Sequence, residues 1–474
     1  MTPSYFPRLG APVSTGIPVA VPAARPGRPQ PNLLERLAFL LLCTFLFLMF
    51  GRPADFLFPY LHAPLVISVS ALLTAVLTGG VLLVLRSPIG ILMTLLTGWF
   101  IVTVPFSTHR GGSMELLSEG WMRSYLCFVL VLAICSRPLY VRRVIHTLAW
   151  SVLVASLLAM AYGIAPHGRI QLPFGLLSGP NELAGAMVIG MLYWMFILFD
   201  PGAGKLYRVF SIAASLPIML ILIKTGSRGG LLTLAVAFAI MFLRFSLGRK
   251  IGVALGSIVL VIMAFVVLPD DLRRRYTTYF QSDLQSPEAV DIDDPTGSTE
   301  SRLYLLERSI QFTLEHPIVG VGLSQYAPQE DVAARKEGKR KGSWLGTHNT
   351  YTQISSETGI PGLAIFLAIL IMAVRNISWI LRTAGSLPGV YGQTLVNAGQ
   401  ALQTVLVAYL VMFLFEHTAY LPLWPTLVGM IAALRSSLEL ELPYRQAATP
   451  AAIPARPGQP AKAAVRRPDF QPVG

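Results

Sequence analysis

Three short stretches of the chain bring together side chains that could do chemistry. The first is Lys224-Thr-Gly-Ser-Arg228-Gly-Gly, set between two apolar runs. Two cations at the edge of hydrocarbon are costly, and ionisable residues there are functional by default. The plain alternative is a pair of side chains snorkelling to the interface. Gly226, Gly229 and Gly230 favour the functional reading, because a backbone without Cβ atoms can come close to a ligand. The second stretch centres on Arg302, in the first turn of a helix predicted over 299–316. The helix dipole disfavours a cation there, which points either to an anionic partner or to a surface ion pair with Glu300 or Glu307. The third is Thr347-His348-Asn349-Thr350-Tyr351, followed by Glu357-Thr-Gly-Ile-Pro-Gly. His348 stands just before an apolar run, among side chains that can only hydrogen-bond. A neutral imidazole could take a proton there, although spacing alone favours a structural histidine. Glu357 is the second candidate base, and its place near the start of the next helix suits capping.

Other polar clusters read more plainly. Asp291-Ile-Asp293-Asp294 has the spacing of a metal-holding DxD, but it lies in a Pro/Ser-rich stretch without an α/β pattern and reads as a solvated acidic run. Arg273-Arg274-Arg275 reads as an interfacial anchor, and Arg335-Lys336-Glu-Gly-Lys339-Arg340-Lys341 as either a solvated loop or a surface for an anionic acceptor. No HExxH or His/Cys pair stands at metal-ligand spacing. Cys43, Cys127 and Cys135 lie in apolar runs and form no CxxC pair, so neither redox chemistry nor a cofactor is indicated.

The elements that must position these residues are membrane helices. Of 474 residues, 54% are hydrophobic and 13% charged, and mean hydropathy is +0.60. A soluble domain carries about 25% charged residues, so a soluble nucleotide-binding enzyme is excluded. Apolar segments recur at about 34–50, 64–85, 88–106, 122–136, 144–165, 182–199, 207–223, 229–243, 251–268, 359–381, 396–416 and 421–438, close to the roughly 20 residues that cross a bilayer. The expected fold is therefore an all-α integral membrane protein with about 12 transmembrane helices. The first run begins too far in, and lacks the small-residue cleavage site, to read as a signal peptide. Residues 1–33 and 439–474 are Pro-rich and read as disordered tails. The net charge of +13 needs no nucleic acid, because alternate loops and both tails collect 21 of the Lys and Arg residues, against six in the short loops opposite. By the positive-inside rule both termini are cytoplasmic.

Residues 34–268 then hold helices one to nine, 359–438 helices ten to twelve, and 269–358 a large outer loop between helices nine and ten. A connection this long is usually functional or disordered. Leu303, Leu306, Ile310 and Leu314 recur at helical spacing, with Ser298 or Thr299 as N-cap and Pro317 as the stop. This stretch is expected to be an amphipathic helix lying over the bundle.

Four stretches in this order resemble the O-antigen ligase and O-antigen polymerase superfamily: Ser178-Gly-Pro-Asn181-Glu182-Leu-Ala, Thr225-Gly-Ser-Arg228-Gly-Gly, Arg302 with Pro317-Ile-Val-Gly320-Val-Gly322, and His348-Asn349-Thr350-Tyr351 with Glu357-Thr-Gly359-Ile-Pro-Gly362-Leu. The motifs span about 170–380. The resemblance implies a metal-independent glycosyltransferase of the bacterial inner membrane. It would move a glycan from an undecaprenyl-diphosphate carrier to an acceptor hydroxyl at the periplasmic face, which makes 269–358 a periplasmic loop. It also implies His348 as the catalytic histidine and Arg228 and Arg302 as the diphosphate site; from the residues themselves Lys224 is expected to join the diphosphate site, with Asn349, Tyr351 and Glu357 as supporting residues. Tyr304 is the nearest aromatic after Arg302, so the match is loose at that point. Lipid A-core as acceptor would make the protein a ligase, and a carrier-linked glycan would make it a polymerase. A polysaccharide or lipid transporter is the rival from another class. Transporters, however, place ionisable residues near the midplane in two related halves, whereas these charges gather at one rim.

Overall fold

The computed structural model describes residues 29–244, 247, 250, 251, 299–338, 342 and 344–448. Most of the two tails, nearly all of the predicted ninth helix at 251–268, Arg273–Arg275, Asp291–Asp294, and Lys339, Arg340 and Lys341 lie outside the described residues. Pro31–Leu440 forms one compact unit, and Met1–Gln30 with Glu441–Gly474 a second. All the site residues belong to the first.

The described residues are helical but for turns and one isolated bridge between Ile164 and Gln171. In chain order the helices are α1 (Leu33–Gly51), α2 (Pro53–Leu57), α3 (Ala63–Leu77), α4 (Leu82–Arg86), α5 (Pro88–Thr103), α6 (Arg110–Glu115), α7 (Met122–Ile134), α8 (Pro138–Tyr162), α9 (Pro180–Leu198), α10 (Lys205–Lys224) and α11 (Arg228–Arg244). After the undescribed stretch come α12 (Thr299–Glu315), α13 (Tyr326–Lys336), α14 (Thr350–Gly385), α15 (Gly389–Met412) and α16 (Leu423–Ala448). Eight helical segments among the described residues are long and apolar enough to cross a membrane.

Their starts follow the sequence. Pro opens α2, α5, α8 and α9, where its missing N–H is no loss. Asn32 accepts from Glu35 N at 2.7 Å at the head of α1, and Asn349 accepts from Thr352 N at 3.0 Å at the head of α14. Ser227 accepts from Gly230 N at 3.2 Å and caps α11. Aromatic rings fill the interior. Trp121 meets Phe100 edge-on at 4.8 Å, and Trp424 meets Phe366 at 5.3 Å. The buried indoles find acceptors in Thr97, Ala149 and Ala419, as buried indoles must.

The element that positions the site is α14, which is broken. Gly359 has φ 74° and ψ 179°, and Pro361 follows, so one residue leaves helical space and another offers no N–H. The break frees the carbonyls of Ser356, Glu357 and Thr358, and each finds a new donor. Val321 N reaches Ser356 O at 2.8 Å and Gly322 N reaches Glu357 O at 3.0 Å. Trp99 Nε1 reaches Thr358 O at 2.8 Å. On the outgoing side Ile360 N donates to Pro317 O at 2.8 Å. The strap 317–323 thus lies along the break, and from its other side Thr108 N donates to Val321 O and Ser113 Oγ to Leu323 O.

The helix expected over 299–316 is present as α12. The face turned inward carries Leu305, Arg308, Ser309 and Phe312, all buried, while Leu303, Ile310 and Leu314 are 53%, 46% and 72% exposed. Both sets recur at helical spacing, and the period alone does not say which one meets protein. The inward set wins because Arg308 is paired there. It bonds Glu337 at 2.6 Å and Tyr304 at 3.1 Å, and Tyr304 bonds Glu330 at 2.9 Å, tying α12 to α13.

The strap allows no side chain at Gly322. Its φ is +108°, and a Cβ there would lie 1.9 Å from Ser107 Oγ. Gly322→Ala should destabilise the protein by about 1–3 kcal/mol, as overpacking does. A clear fall in thermal midpoint of the purified protein in detergent is expected. A wild-type midpoint would mean that the strap does not dock against Ser107.

Candidate functional site

Five segments converge at one end of the bundle. His348 precedes the N-cap of α14 with φ 48°, a left-handed conformation that histidine tolerates better than most residues. The bend turns its ring onto His417, with centroids 5.1 Å apart and planes at 83°. The backbone here is tied to the turn after α15. Thr350 N donates to Phe413 O at 2.8 Å, Thr350 Oγ1 to Glu416 O at 2.6 Å, and Thr418 N to Thr350 Oγ1 at 3.0 Å. Gly346 packs flat on His417, since a Cβ there would lie 2.8 Å from the ring. The Nδ1 atoms of His348 and His417 are both buried with no hydrogen-bond partner.

Positive charge surrounds this pair. Burial is the main cause that pushes the His348 imidazole down to about 3, and His417, Arg302 and Arg169 push in the same direction. His348 is therefore neutral at physiological pH, and the same influences make it a weak base. Arg302 and Arg169 also act on Glu416. Burial raises that carboxyl to about 8 and Glu182 adds to the rise, while the two arginines oppose it. Arg169 is oriented by the first turn of α9 and the turn after α10: its Nε donates to Thr225 O at 2.9 Å and its Nη2 to Asn181 Oδ1 at 2.6 Å.

The structure brings His348 and Arg302 together electrostatically. Arg228 opens α11, and the next residue, Gly229, lies against Phe415 and Glu416. Gly229 and Gly230 allow close helix packing. A Cβ on Gly229 would stand 3.1 Å from Phe415 Cβ, and one on Gly230 3.1 Å from Ala184 Cβ of α9. Lys224 joins through its backbone, since its carbonyl accepts from Ile170 N at 3.0 Å.

The supporting residues are structural. Asn349 is the α14 cap. Tyr351 donates to Leu410 O at 3.2 Å and packs on Phe366 and Phe413. Glu357 does cap a helix, but not the one it belongs to. Its carboxylate accepts from Ser324 N at 2.9 Å and Tyr326 N at 3.4 Å at the start of α13, and from Tyr420 Oη at 2.5 Å. Three donors occupy it.

Arg169, Glu182, Glu416 and His417 were not singled out as site residues by sequence. Glu182 had a signal in the Ser178-Gly-Pro-Asn-Glu stretch, and Arg169 only in being a cation beside an apolar run. Glu416-His417 follows a predicted helix with no motif around it, so only the fold reveals it. Among the described residues no three His, Cys, Asp or Glu side chains gather as a metal site.

Residues 210–367 match the family model described as O-antigen ligase. That span holds Arg228, Arg302, His348 and Glu357, and leaves out Arg169, Glu182, Glu416 and His417. No curated protein matches the chain.

Glu357→Ala should strip acceptors from three donors, at about 1–3 kcal/mol for each buried group left unsatisfied, and lower the thermal midpoint sharply. Glu357→Gln keeps one acceptor and should recover part of the loss. An Ala variant with wild-type stability and no turnover would return Glu357 to the role of base.

Proposed function

We propose, for a chain whose residues 210–367 match the family model described as O-antigen ligase, transfer of a glycan from an undecaprenyl-diphosphate carrier to an acceptor hydroxyl at the periplasmic face of the inner membrane. The observation that supports this reading is His348 packed 5.1 Å from His417 with its Nδ1 buried and unpartnered, where Arg302 and Arg169 act on it. The acceptor oxygen attacks the anomeric carbon and its proton passes to His348. The bond from that carbon to the carrier diphosphate breaks, and the diphosphate leaves with the electron pair. Arg302 and Arg228, with Lys224 at the rim, hold the diphosphate, because guanidinium offers paired donors to phosphate oxygens. Arg169 adds to the field that stabilises the developing anion. No metal or cofactor takes part in this scheme. Lipid A-core is the acceptor favoured here; a carrier-linked glycan would make the same chemistry a polymerase.

Purified protein given a polyprenyl-diphosphate glycan and each acceptor should form product with one of them. His348→Ala should lower turnover about 10²–10⁴-fold, the usual contribution of a general base, with donor binding retained. Product from neither acceptor, or near-normal turnover in the variant, would sink the assignment.

The pH profile gives a second test. An ordinary histidine titrates near 6.5, but His348 in the donor-free site stays neutral down to about 3. Its kcat/KM profile should therefore lack an acid limb near pH 6.5. Arg302→Gln removes a positive neighbour, makes imidazolium easier to form, and should move the limb upward. A limb that does not move would mean that Arg302 does not face His348.

Sidedness can be read separately. A cysteine at Lys336 should react with an impermeant thiol reagent in intact cells, and one at Gly204 should not. The reverse pattern would invert the orientation and the periplasmic site with it.

A further inference from the structure

The helix α12 has three sides rather than two. Its inward side buries Leu305, Arg308, Ser309 and Phe312. A second side, Glu307, Gln311 and Glu315, is exposed and polar, with Gln311 donating to Glu315 at 2.8 Å. The third side is Leu303, Leu306, Ile310 and Leu314, spaced i, i+3, i+7 and i+11 along one line. Three of these four are exposed and Leu306 is half-buried. The helix therefore turns its buried arginine to protein and its leucines outward, which water would not favour. We propose that this apolar side is sunk among the acyl chains of the bilayer, with α12 lying along the membrane interface.

Continuity with a membrane-facing surface supports this occupant. After α12 the chain reaches Ile318, 66% exposed, beside Pro317, whose carbonyl accepts from Ile360 N. Ile360 is 51% exposed and begins an apolar line on α14 that runs through Leu367, Ile371 and Val374, all exposed. Thr350–Gly385 is one of the segments long and apolar enough to cross a membrane. The exposed leucines of α12 thus extend the surface that α14 offers to lipid. The polar side of α12 then faces the aqueous phase, the arrangement of an interfacial amphipathic helix, whose apolar face enters about 5–10 Å. Arg302, on the same helix, is thereby held at the depth of lipid head groups. The proposal rests on the membrane reading of the chain and not on its transferase activity.

Depth-dependent quenching tests it in the full chain in lipid nanodiscs. With Cys43→Ala, Cys127→Ala and Cys135→Ala as background, a fluorophore is placed through Ile310→Cys, Leu314→Cys, Gln311→Cys or Glu315→Cys. Labels at 310 and 314 should lose most of their emission to lipids carrying a shallow spin label and little to aqueous iodide. Labels at 311 and 315 should show the opposite. Iodide quenching at 310 and 314 equal to that at 311 and 315 would overturn the proposal. So would protection from both quenchers, which would mean that a second copy of the chain or other protein covers the face. Neither reading requires turnover, so an inactive protein leaves the test intact.

Discussion

A membrane helix that breaks must find partners for the carbonyls its break releases, since lipid offers none. In α14 the break falls at Gly359 and Pro361, and the strap 317–323 with Trp99 supplies the donors. The same strap leads from α12 to α13, and Glu357, at the end of the first half of α14, holds the start of α13. One backbone defect therefore fixes where the outer loop docks. It also fixes the first half of α14, at whose head His348 stands. Thr313 and Ser355 bond at 2.8 Å across α12 and α14, so the helix carrying Arg302 and the half-helix led by His348 are built as one piece.

Much of this was legible in the chain. The apolar runs, Pro317 as the end of α12, and the order of the four motifs all depend on local rules, and such rules survive folding. The contacts made by Glu357, Gly229 and Gly230 were not legible. Their partners are Tyr326, Tyr420, Ala184 and Phe415, which lie tens to hundreds of positions away, and spacing carries no information about them. Which face of α12 packs inward was not legible either, because two sets of apolar positions recur there at helical spacing. Arg308 decided the inward face through Glu337 and Tyr304, a pairing that only the loop fold creates.

Glu416 and His417 show the limit most clearly. Neither has a motif, yet the turn that carries them is bonded to Thr350 through backbone and hydroxyl groups. Buried polar groups need partners, and the partners here draw α14, α15 and the histidine pair into register. The two unpartnered Nδ1 atoms are the exception. An imidazole nitrogen left bare in a buried site accepts hydrogen bonds when neutral, and that is the state which burial and neighbouring cations impose on His348.

The charge distribution makes the same point from the opposite side. Arg302 and Arg169 both act on His348 and on Glu416, so their fields overlap and they repel each other. Arg169 belongs to the loop ahead of α9, whereas Arg302 rides on the outer loop. Glu416 offsets little of this repulsion, because burial favours its neutral form. A dianionic group entering between the arginines would relieve the repulsion and at the same time lessen the field that keeps His348 from taking a proton. Binding of an anionic donor and the rise in basicity of the adjacent histidine would then be two effects of one change in local charge. That coupling suits a transfer in which the acceptor loses its proton only after the donor is in place.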